Sequence, residues 1–314
     1  MVMSPKENYL AAIRFDRPEY VPLGSEHISH AFQFEGNFLK DDWTDLWGVR
    51  WEVGLPDTVP FPKGNPLPSL DRLDDFRFPS PDELVFTEDL QEALARVDRG
   101  AMLVIGELNY LLFERAWAVT GMDNFLAALI THPAEAHAFL HSIAVYARGV
   151  FDRYLELGVD GISFSEDLGS QRALLMSPDM FREFFLPEYQ FCFENVLKAG
   201  KLVCFHSCGC VDAIAADLAS IGASVLDPVQ ARANNLAELK ARTRGRMALC
   251  GAIDTSVLAL GTPADVQAEV ARVMEILKPG GGYVCAPDQN IPGVPPENMH
   301  ALWETARETG RYDW

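Results

Sequence analysis

The sequence predicts an α/β fold, a (β/α)8 TIM barrel with an N-terminal extension. From residue 100 onward, short β-rich runs alternate with amphipathic stretches, and reactive side chains stand at or near the ends of most runs. Alternating strands and helices are typical of parallel strands joined by crossover helices. Polar side chains at the carboxyl ends of many strands favour a barrel, because an open doubly wound sheet usually gathers its ligands at one or two points.

The predicted strands are short and apolar, and most are separated by stretches that open with helix-start residues. A run near Val21–Gly24 brings the strand count close to eight when it is added to the six later runs, which are Met102–Gly106, Gly161–Phe164, Leu202–Phe205, Ser224–Leu226, Met247–Cys250 and Gly282–Cys285. The predicted helix starts are Ser177-Pro178-Asp179, Thr262-Pro263-Ala264-Asp265 and Pro295-Pro296-Glu297. Ser or Thr before Pro, with acids in the first turn, caps free amides and complements the helix dipole.

Residues 55–81 form the stretch richest in proline and glycine. Aromatic and apolar residues are interleaved with the prolines, so we expect an ordered insertion. A cover over the active site and a plain surface insertion are equally compatible with this composition. We expect residues 1–314 to form a single domain, because we find no internal repeat and no low-complexity linker.

The charge and cysteine content exclude several classes of partner. The chain has 45 acidic and 26 basic residues and a formal net charge of −19, which repels nucleic acids and anionic membranes. Its six cysteines, in a long chain without an evident secretory leader, favour a reducing compartment with free or metal-bound thiols. No apolar stretch approaches the roughly 20 residues that span a bilayer. We therefore expect a cytoplasmic protein that binds neither nucleic acid nor membrane.

The most informative motif is His206-Ser207-Cys208-Gly209-Cys210, which follows the run Leu202–Phe205. If the strand continues, His206 and Cys208 point to the same side, and imidazole with thiolate suits zinc. Cys285, at the end of a distant run, is a candidate for a third ligand, which would leave one position open as in catalytic zinc sites. The alternative is a buried histidine beside incidental thiols. Cys210 could also be a ligand or a redox partner of Cys208.

The remaining cysteines and the acidic strand ends complete the candidates. Cys192, Cys204 and Cys250 are interpreted as core residues. Glu166 and Asp167 are adjacent carboxylates after an apolar strand, where one could act as a general acid or base or as a fourth metal ligand. A capped, solvated loop is their alternative. Weaker candidates of the same kind are Glu107, Asp227, Asp254 and Asp288.

The chain resembles the uroporphyrinogen decarboxylase superfamily, particularly its cobalamin-dependent zinc methyltransferase branch, which includes coenzyme M methyltransferases and O-demethylase-like proteins. The resemblance covers nearly the whole chain and is carried by residues 6–13 with 18–22, by Glu166–Gln171 with Met176–Phe181, and by His206-x-Cys208 with distant Cys285. The decarboxylases carry an Arg-Gln-Ala-Gly-Arg segment after the first strand. Here that region reads Gly24-Ser25-Glu26-His27-Ile28-Ser29-His30, which argues against decarboxylase activity.

The resemblance implies that His206, Cys208 and Cys285 bind zinc and that Glu166 or Asp167 fills the fourth position or manages a proton. It also implies methyl transfer between the cobalt of a corrinoid, carried by a partner protein, and a small methylated donor or a thiol acceptor. Aromatic residues predicted near the mouth favour a methoxylated aromatic donor: Trp43, Trp47, Trp51, Phe61, Phe113 and Trp117. The alternatives are a metal-free decarboxylase-like lyase and a non-catalytic protein that binds the corrinoid or its carrier.

Overall fold

A computed structural model describes residues 2–24, 26, 28–32, 41–54, 60–289 and 293–314. Its strands, in chain order, are β1 Ile28–Phe32, β2 Trp43–Thr44, β3 Arg50–Glu52, β4 Phe61–Lys63, β5 Leu103–Leu108, β6 Gly161–Phe164, β7 Leu202–His206, β8 Val225–Val229, β9 Ala248–Ile253 and β10 Tyr283–Pro287. Its helices are α1 Pro5–Ile13, α2 Glu88–Arg96, α3 Phe113–Thr120, α4 Met122–Thr131, α5 Pro133–Glu156, α6 Pro178–Met180, α7 Leu186–Lys198, α8 Ala215–Ser220, α9 Leu236–Thr243, α10 Thr255–Leu260, α11 Pro263–Leu277 and α12 Pro296–Thr309. A π-helical turn, Phe181–Phe185, joins α6 to α7.

Seven of the strands form one curled parallel sheet in the order β1-β5-β6-β7-β8-β9-β10. The spatial order equals the chain order, as expected for strands that are each followed by a helical crossover. This arrangement confirms the predicted α/β fold of the TIM-barrel type. The described residues contain seven barrel strands, one fewer than the prediction.

The first strand segment joins the two edges of the sheet. Leu23 forms a parallel bridge with Cys285 of β10, where Gly24 N donates to the Cys285 carbonyl at 2.8 Å. Ile28, four residues after Gly24, already pairs with Leu103 of β5. Four residues reach at most about 14 Å, so Gly24 beside β10 and Ile28 beside β5 bring the two edges of the curled sheet near each other. The predicted strand Val21–Gly24 is thus reduced to this bridge, and β1 follows it.

The three predicted helix starts agree with the structure, because α6, α11 and α12 begin at Pro178, Pro263 and Pro296. Ser177 accepts a hydrogen bond from the Met180 amide, and Thr262 forms a capping box with Asp265. Pro295 precedes α12 but has no side-chain acceptor for the free amides. Among the described helices, none combines the length and apolar content that a bilayer crossing requires.

The barrel interior is filled by side chains that alternate along the strands. Tyr9 and Ile13 of α1 pack into this interior, together with inward-facing residues of the strands, among them Leu103, Leu202, Cys204, Val225, Ala248, Cys250, Val284 and Ala286. The residues between them face the surrounding helices. This alternation decides which strand-end side chains reach the barrel mouth.

The insertion after β1 is ordered wherever the structure describes it. Strands β2, β3 and β4 form a small antiparallel sheet, and 3-10 turns follow at Leu70–Asp75 and Pro81–Glu83. This confirms an ordered insertion for residues 60–81, while residues 55–59 lie outside the described chain.

A buried ion pair and an aromatic stack fix this insertion to the barrel. Asp45 and Arg115 lie 2.5 Å apart, with side chains only 4% and 7% exposed. Asp45 also accepts hydrogen bonds from the Trp51 indole and the amides of Trp47 and Val49. The Trp51 ring stacks on Tyr110, which follows β5, with centroids 4.5 Å apart. The insertion therefore packs beside the carboxyl end of β5.

Candidate metal centre and active-site cavity

A cavity of about 590 Å³ opens at the carboxyl ends of the barrel strands. Inward-facing side chains of β1, β7, β8, β9 and β10 line it, and Met299 and Trp303 of α12 form part of its wall. Both His206 and Cys208 face this cavity. The two residues therefore face the same cavity, although β7 ends at His206 and Cys208 lies in the loop that follows.

Asp167, His206 and Cys208 form the group of potential metal ligands found among the described residues. One donor atom from each lies within 4.8 Å of the other two. His206 Nε2 is 3.4 Å from Asp167 Oδ1 and 3.7 Å from Cys208 Sγ. Imidazole, thiolate and carboxylate are the three donor types that zinc uses in proteins, so this set fits zinc.

Two glycines bring the β6 and β7 loops into backbone contact and so place Asp167 beside Cys208. Gly209 has a φ of +81°, and a Cβ added there would lie 2.1 Å from the Gly169 carbonyl oxygen. The Cys208 amide donates to Asp167 Oδ1 at 2.9 Å, and the Leu168 amide donates to Ser207 Oγ at 3.1 Å. The close approach of the β6 and β7 loops thus requires glycine at positions 169 and 209, where a side chain would clash.

The electrostatics of this cluster favour a charged pair when no metal is bound. Burial opposes ionisation of Asp167, but hydrogen bonds from His206 and the Cys208 amide outweigh it and lower the pKa of this carboxyl. Burial likewise opposes protonation of His206, yet Asp167 and Cys208 raise the pKa of the imidazole well above its ordinary value. A metal ion would therefore compete with the His206 proton for these donors.

Cys285, which the sequence analysis named as a candidate for the third ligand, does not belong to this group of donor atoms. On β10, Val284 and Ala286 face the barrel interior, so Cys285 between them faces the helical layer. Its side chain is completely buried, and burial raises the pKa of the thiol to about 12. Asp167 is the third member of the cluster in its place.

Gln289 contacts the cluster through Cys208. Its Nε2 donates to Cys208 Sγ at 3.2 Å, and the residue lines the cavity. Its neighbour Asp288 is one of the weaker candidates from the sequence, and Asn290 lies outside the described residues. Asp288 is buried and accepts a hydrogen bond from the Thr255 amide at 3.0 Å, so it shapes the loop.

Glu166 points away from Asp167 and anchors the start of α3. It is completely buried and accepts hydrogen bonds from the amides of Phe113 (2.5 Å) and Glu114 (3.3 Å) and from the Tyr189 hydroxyl (2.5 Å). Burial, and then the neighbouring Glu114, raise the pKa of Glu166 to about 8, against the effect of these donors. Of the two predicted acids, only Asp167 joins the metal-donor cluster.

Glu114 is a buried acid near the cluster that the sequence did not indicate. It is 8% exposed, and its Oε2 has no hydrogen-bond partner among the described residues. Burial, and then the charge of Asp167, raise the pKa of Glu114 to about 7. The only sign of this residue in the sequence was its position directly after the apolar run Leu111–Phe113. That position did not predict burial, because an acid in a helix ordinarily lies on the solvent side.

The other candidates divide between the cavity and the scaffold. Asp227 lines the cavity, and Glu107 contacts His30, which also lines it. Asp254 pairs with Arg232 and accepts from the Ser256 amide at the start of α10. Cys192 and Cys250 are buried and Cys204 faces the barrel interior, which confirms them as core residues.

The predicted aromatic residues do not line the 590 Å³ cavity. Trp47, Trp51 and Phe113 are buried in the core between the insertion and the barrel, whereas Phe61 is 62% exposed. The aromatic wall of the cavity comes instead from Tyr9 and from Trp303. The positions of Tyr9 and Trp303 depend on how α1 and α12 pack against the barrel, and local sequence patterns do not predict this packing.

The fold and the cluster define an α/β barrel protein with a candidate metal centre at the carboxyl ends of adjacent strands. Residues 112–309 match the family described as uroporphyrinogen decarboxylase (URO-D). The match covers well over half of the chain, which therefore belongs to the uroporphyrinogen decarboxylase family.

The chain is similar to solved structures, and the first of the two below shares its fold. A methyltransferase from Methanosarcina mazei matches with a TM-score of 0.71 over 98% of this chain and 99% of that chain, at 19% sequence identity. A B12-independent methionine synthase from a Shewanella species matches with a TM-score of 0.49 over 74% of this chain and 66% of that chain, at 12% identity. No match was found among curated proteins.

Proposed function

We propose that this protein is a zinc-dependent methyltransferase of a corrinoid-dependent system. It transfers a methyl group between the cobalt of a corrinoid on a partner protein and a small methylated donor, such as a methoxylated aromatic, or a thiol acceptor. The observation that carries the proposal is the cluster of Asp167, His206 and Cys208 at the mouth of a barrel of the uroporphyrinogen decarboxylase family. The fold shared with the Methanosarcina methyltransferase supports it.

In this proposal, His206, Cys208 and Asp167 hold the zinc ion, and Cys285 does not. Zinc supplies a Lewis acid, which lowers the pKa of a thiol or makes an ether oxygen a better leaving group. Gln289 keeps the Cys208 sulfur oriented through the amide hydrogen bond described above. Such outer contacts commonly tune metal affinity, so Gln289 belongs to the centre without being one of its three proposed ligands.

The cavity wall suits a small organic molecule better than a polyanionic porphyrinogen. Trp303, Met299 and Tyr9 supply apolar surface against which an aromatic or aliphatic group can pack. Glu26 and Asp227 add acidic groups to the same wall. Like charges disfavour a substrate rich in carboxylates, so this lining favours methyl transfer over a decarboxylase-like reaction.

Metal analysis of two cysteine variants tests the ligand set. We expect about one zinc per chain in the wild-type protein, as in sites with three protein ligands. Cys208→Ala should lose this zinc, whereas Cys285→Ala should retain it, because Cys285 faces the helical layer. Cys285→Ala is the matched control, because it is the same cysteine-to-alanine change made at a buried position on β10. Zinc retained in Cys208→Ala, or lost only in Cys285→Ala, would contradict the proposed centre.

Methyl transfer is then measured with free cobalamins in place of the carrier protein. Cob(I)alamin with 2-methoxyphenol reports demethylation, and methylcobalamin with 2-mercaptoethanol reports methylation of a thiol, both through the corrinoid absorption spectrum. We expect at least one of these reactions to depend on zinc and on Cys208. Turnover that survives chelation would indicate a metal-free enzyme, and binding of cobalamin without turnover of any donor would indicate a non-catalytic binding protein.

A further inference from the structure

We infer that His30 transfers the proton that accompanies methyl transfer and that Glu107 positions it. This inference rests on the proposed function and extends it to the opposite wall of the same cavity. It assigns a catalytic role to His30, whose imidazole faces the substrate space, and a positioning role to Glu107, which acts through His30.

The two residues come from neighbouring strands and form a hydrogen-bonded pair. In the β1–β5 register, His30 lies opposite Ile105, which is two residues before Glu107. The side chains of His30 and Glu107 are therefore diagonal neighbours on the same face of the sheet. His30 Nδ1 is 2.8 Å from Glu107 Oε1. The Glu107 backbone is itself held, because the Tyr154 hydroxyl donates to its carbonyl at 2.8 Å.

This pairing leaves one ring nitrogen of His30 for the substrate. Nδ1 is engaged by Glu107, and Nε2 has no hydrogen-bond partner within the described parts of the chain. The His30 side chain is 43% exposed and lines the cavity that also contains His206 and Cys208. A carboxylate that fixes one nitrogen of an imidazole, with the other facing a substrate cavity, is the usual arrangement of a general acid or base.

The local charges support a proton on this imidazole. The hydrogen bond to Glu107 raises the pKa of His30 more than burial lowers it, and the charge of Asp227 acts in the same direction. The other ionisable groups that line the cavity are Tyr9, Glu26, His206, Cys208 and Cys250. His206 and Cys208 are engaged with Asp167, so His30 is the imidazole that remains for the substrate.

The proton balance of methyl transfer requires such a group in both directions. In demethylation, the methyl carbon separates from the donor oxygen and bonds to cobalt(I) of the corrinoid, whose electron pair forms the new bond. The electrons of the broken C–O bond stay on oxygen, which takes the proton from His30 Nε2 and leaves as an alcohol or phenol. In thiol methylation, neutral His30 accepts the thiol proton while the sulfur attacks the methyl group on cobalt(III), which recovers cobalt(I).

The variants His30→Gln and Glu107→Gln test this assignment in the zinc-loaded protein. His141→Gln is the matched control, because His141 Nδ1 also pairs with a glutamate, Glu188, at 3.0 Å but on the outer helices. We expect His30→Gln to keep its zinc and to lose about 10²- to 10⁴-fold in the rate of methyl transfer between 2-methoxyphenol and cob(I)alamin. His141→Gln should keep both its zinc and its rate.

The pH profile separates a proton role from a structural one. The demethylation rate of the wild-type protein should fall at alkaline pH as His30 loses its proton, and this limb should vanish in His30→Gln. In Glu107→Gln the limb should move to lower pH, because the neighbour that raises the pKa of His30 has lost its charge. A purely structural role would lower the rate without moving the profile.

Proton release gives a readout that needs no turnover. When 2-mercaptoethanol binds, calorimetry in buffers of different ionisation enthalpy counts the protons that reach the solvent. At alkaline pH, where the His30 imidazole is neutral and can accept the thiol proton, His30→Gln should release more protons than the wild-type protein, because this acceptor is missing. Equal release, together with a rate and pH profile like those of His141→Gln, would overturn the assignment. Wild-type protein without zinc or methyl transfer would instead overturn the proposed function, and this inference with it.

Discussion

Replacing Glu114 with glutamine should stabilise the protein, and the gain should grow with pH. The Glu114 carboxyl is buried beside Asp167, and one of its oxygens is left without a partner in the described chain. Burial and the Asp167 charge both disfavour its ionised form and raise its pKa from 4.5 to about 7. Glutamine has nearly the same shape and cannot ionise, so it removes this penalty while it retains the packing.

Proton linkage gives the sign and size of the effect. The unfolded chain releases this proton near pH 4.5, whereas the native protein holds it until about pH 7. Between these values the native state binds more protons, so rising pH lowers the free energy of unfolding of the wild-type protein. At about 1.4 kcal/mol per pH unit, the raised pKa costs about 3 kcal/mol above pH 7. If glutamine loses the hydrogen bond that Glu114 makes with Ser165, the variant loses roughly 1 kcal/mol at any pH. That loss does not change how the stabilisation varies with pH.

Urea unfolding of the metal-free protein measures the prediction, with a chelator present so that no cation neutralises Asp167. The free energy gained by Glu114→Gln should rise by about 3 kcal/mol between roughly pH 5 and pH 8. Glu308→Gln, the same change on the exposed face of α12, should give no such rise. A gain that is independent of pH, or a loss of stability that deepens as the pH rises, would refute the reasoning.

The remaining predictions concern the insertion and the loop contact. Asp45→Ala should lower the free energy of unfolding by about 3–5 kcal/mol, because it leaves the Arg115 charge buried and unpaired, whereas Asp75→Ala in the exposed pair with Arg72 should cost less than about 1 kcal/mol. Urea titrations of both variants check this, and equal costs would contradict the role given to the ion pair. Gly209→Ala should weaken zinc binding as well as stability, since its Cβ would strike the Gly169 carbonyl. Gly245 also has a positive φ, +72°, but no atom lies close to its Cβ position, so Gly245→Ala is the matched control. If both variants lowered zinc affinity equally, backbone strain alone would explain the loss.

The sequence was sufficient for the fold because strand and helix patterns are local. Short apolar runs separated by capped helices predicted the parallel sheet, and six of the seven barrel strands lie within a few residues of the predicted runs. The exception is the first strand. Its predicted run, Val21–Gly24, forms only the closing bridge, because its pairing depends on the last strand of the barrel.

Strand parity explains which site residues could be predicted. His206 and Cys208 are two residues apart, so strand alternation predicts a common orientation, and both face the cavity although β7 ends at His206. Whether Cys285 shares that orientation depends on the register of a strand buried on both faces, where hydrophobicity does not distinguish inside from outside. Glu166 and Asp167 follow the end of β6, and the sequence alone does not select the one that faces the mouth. His30 and Glu107 meet only through the register of β1 and β5.

The bridge between Leu23 and Cys285 also has a consequence for how the chain folds during synthesis. The carbonyl of Pro22 and the amide of Gly24 form their hydrogen bonds only when β10 is present. The Val21 amide likewise donates to the carbonyl of Gly310. These partners are synthesised long after residues 21–24, so the sheet edge beside them stays unpaired until β10 has been made. Contacts so distant in sequence slow folding and prolong that exposure. Strand β10 and Gly310, although remote in sequence from the cluster of Asp167, His206 and Cys208, therefore decide when residues 21–24 acquire their hydrogen-bond partners.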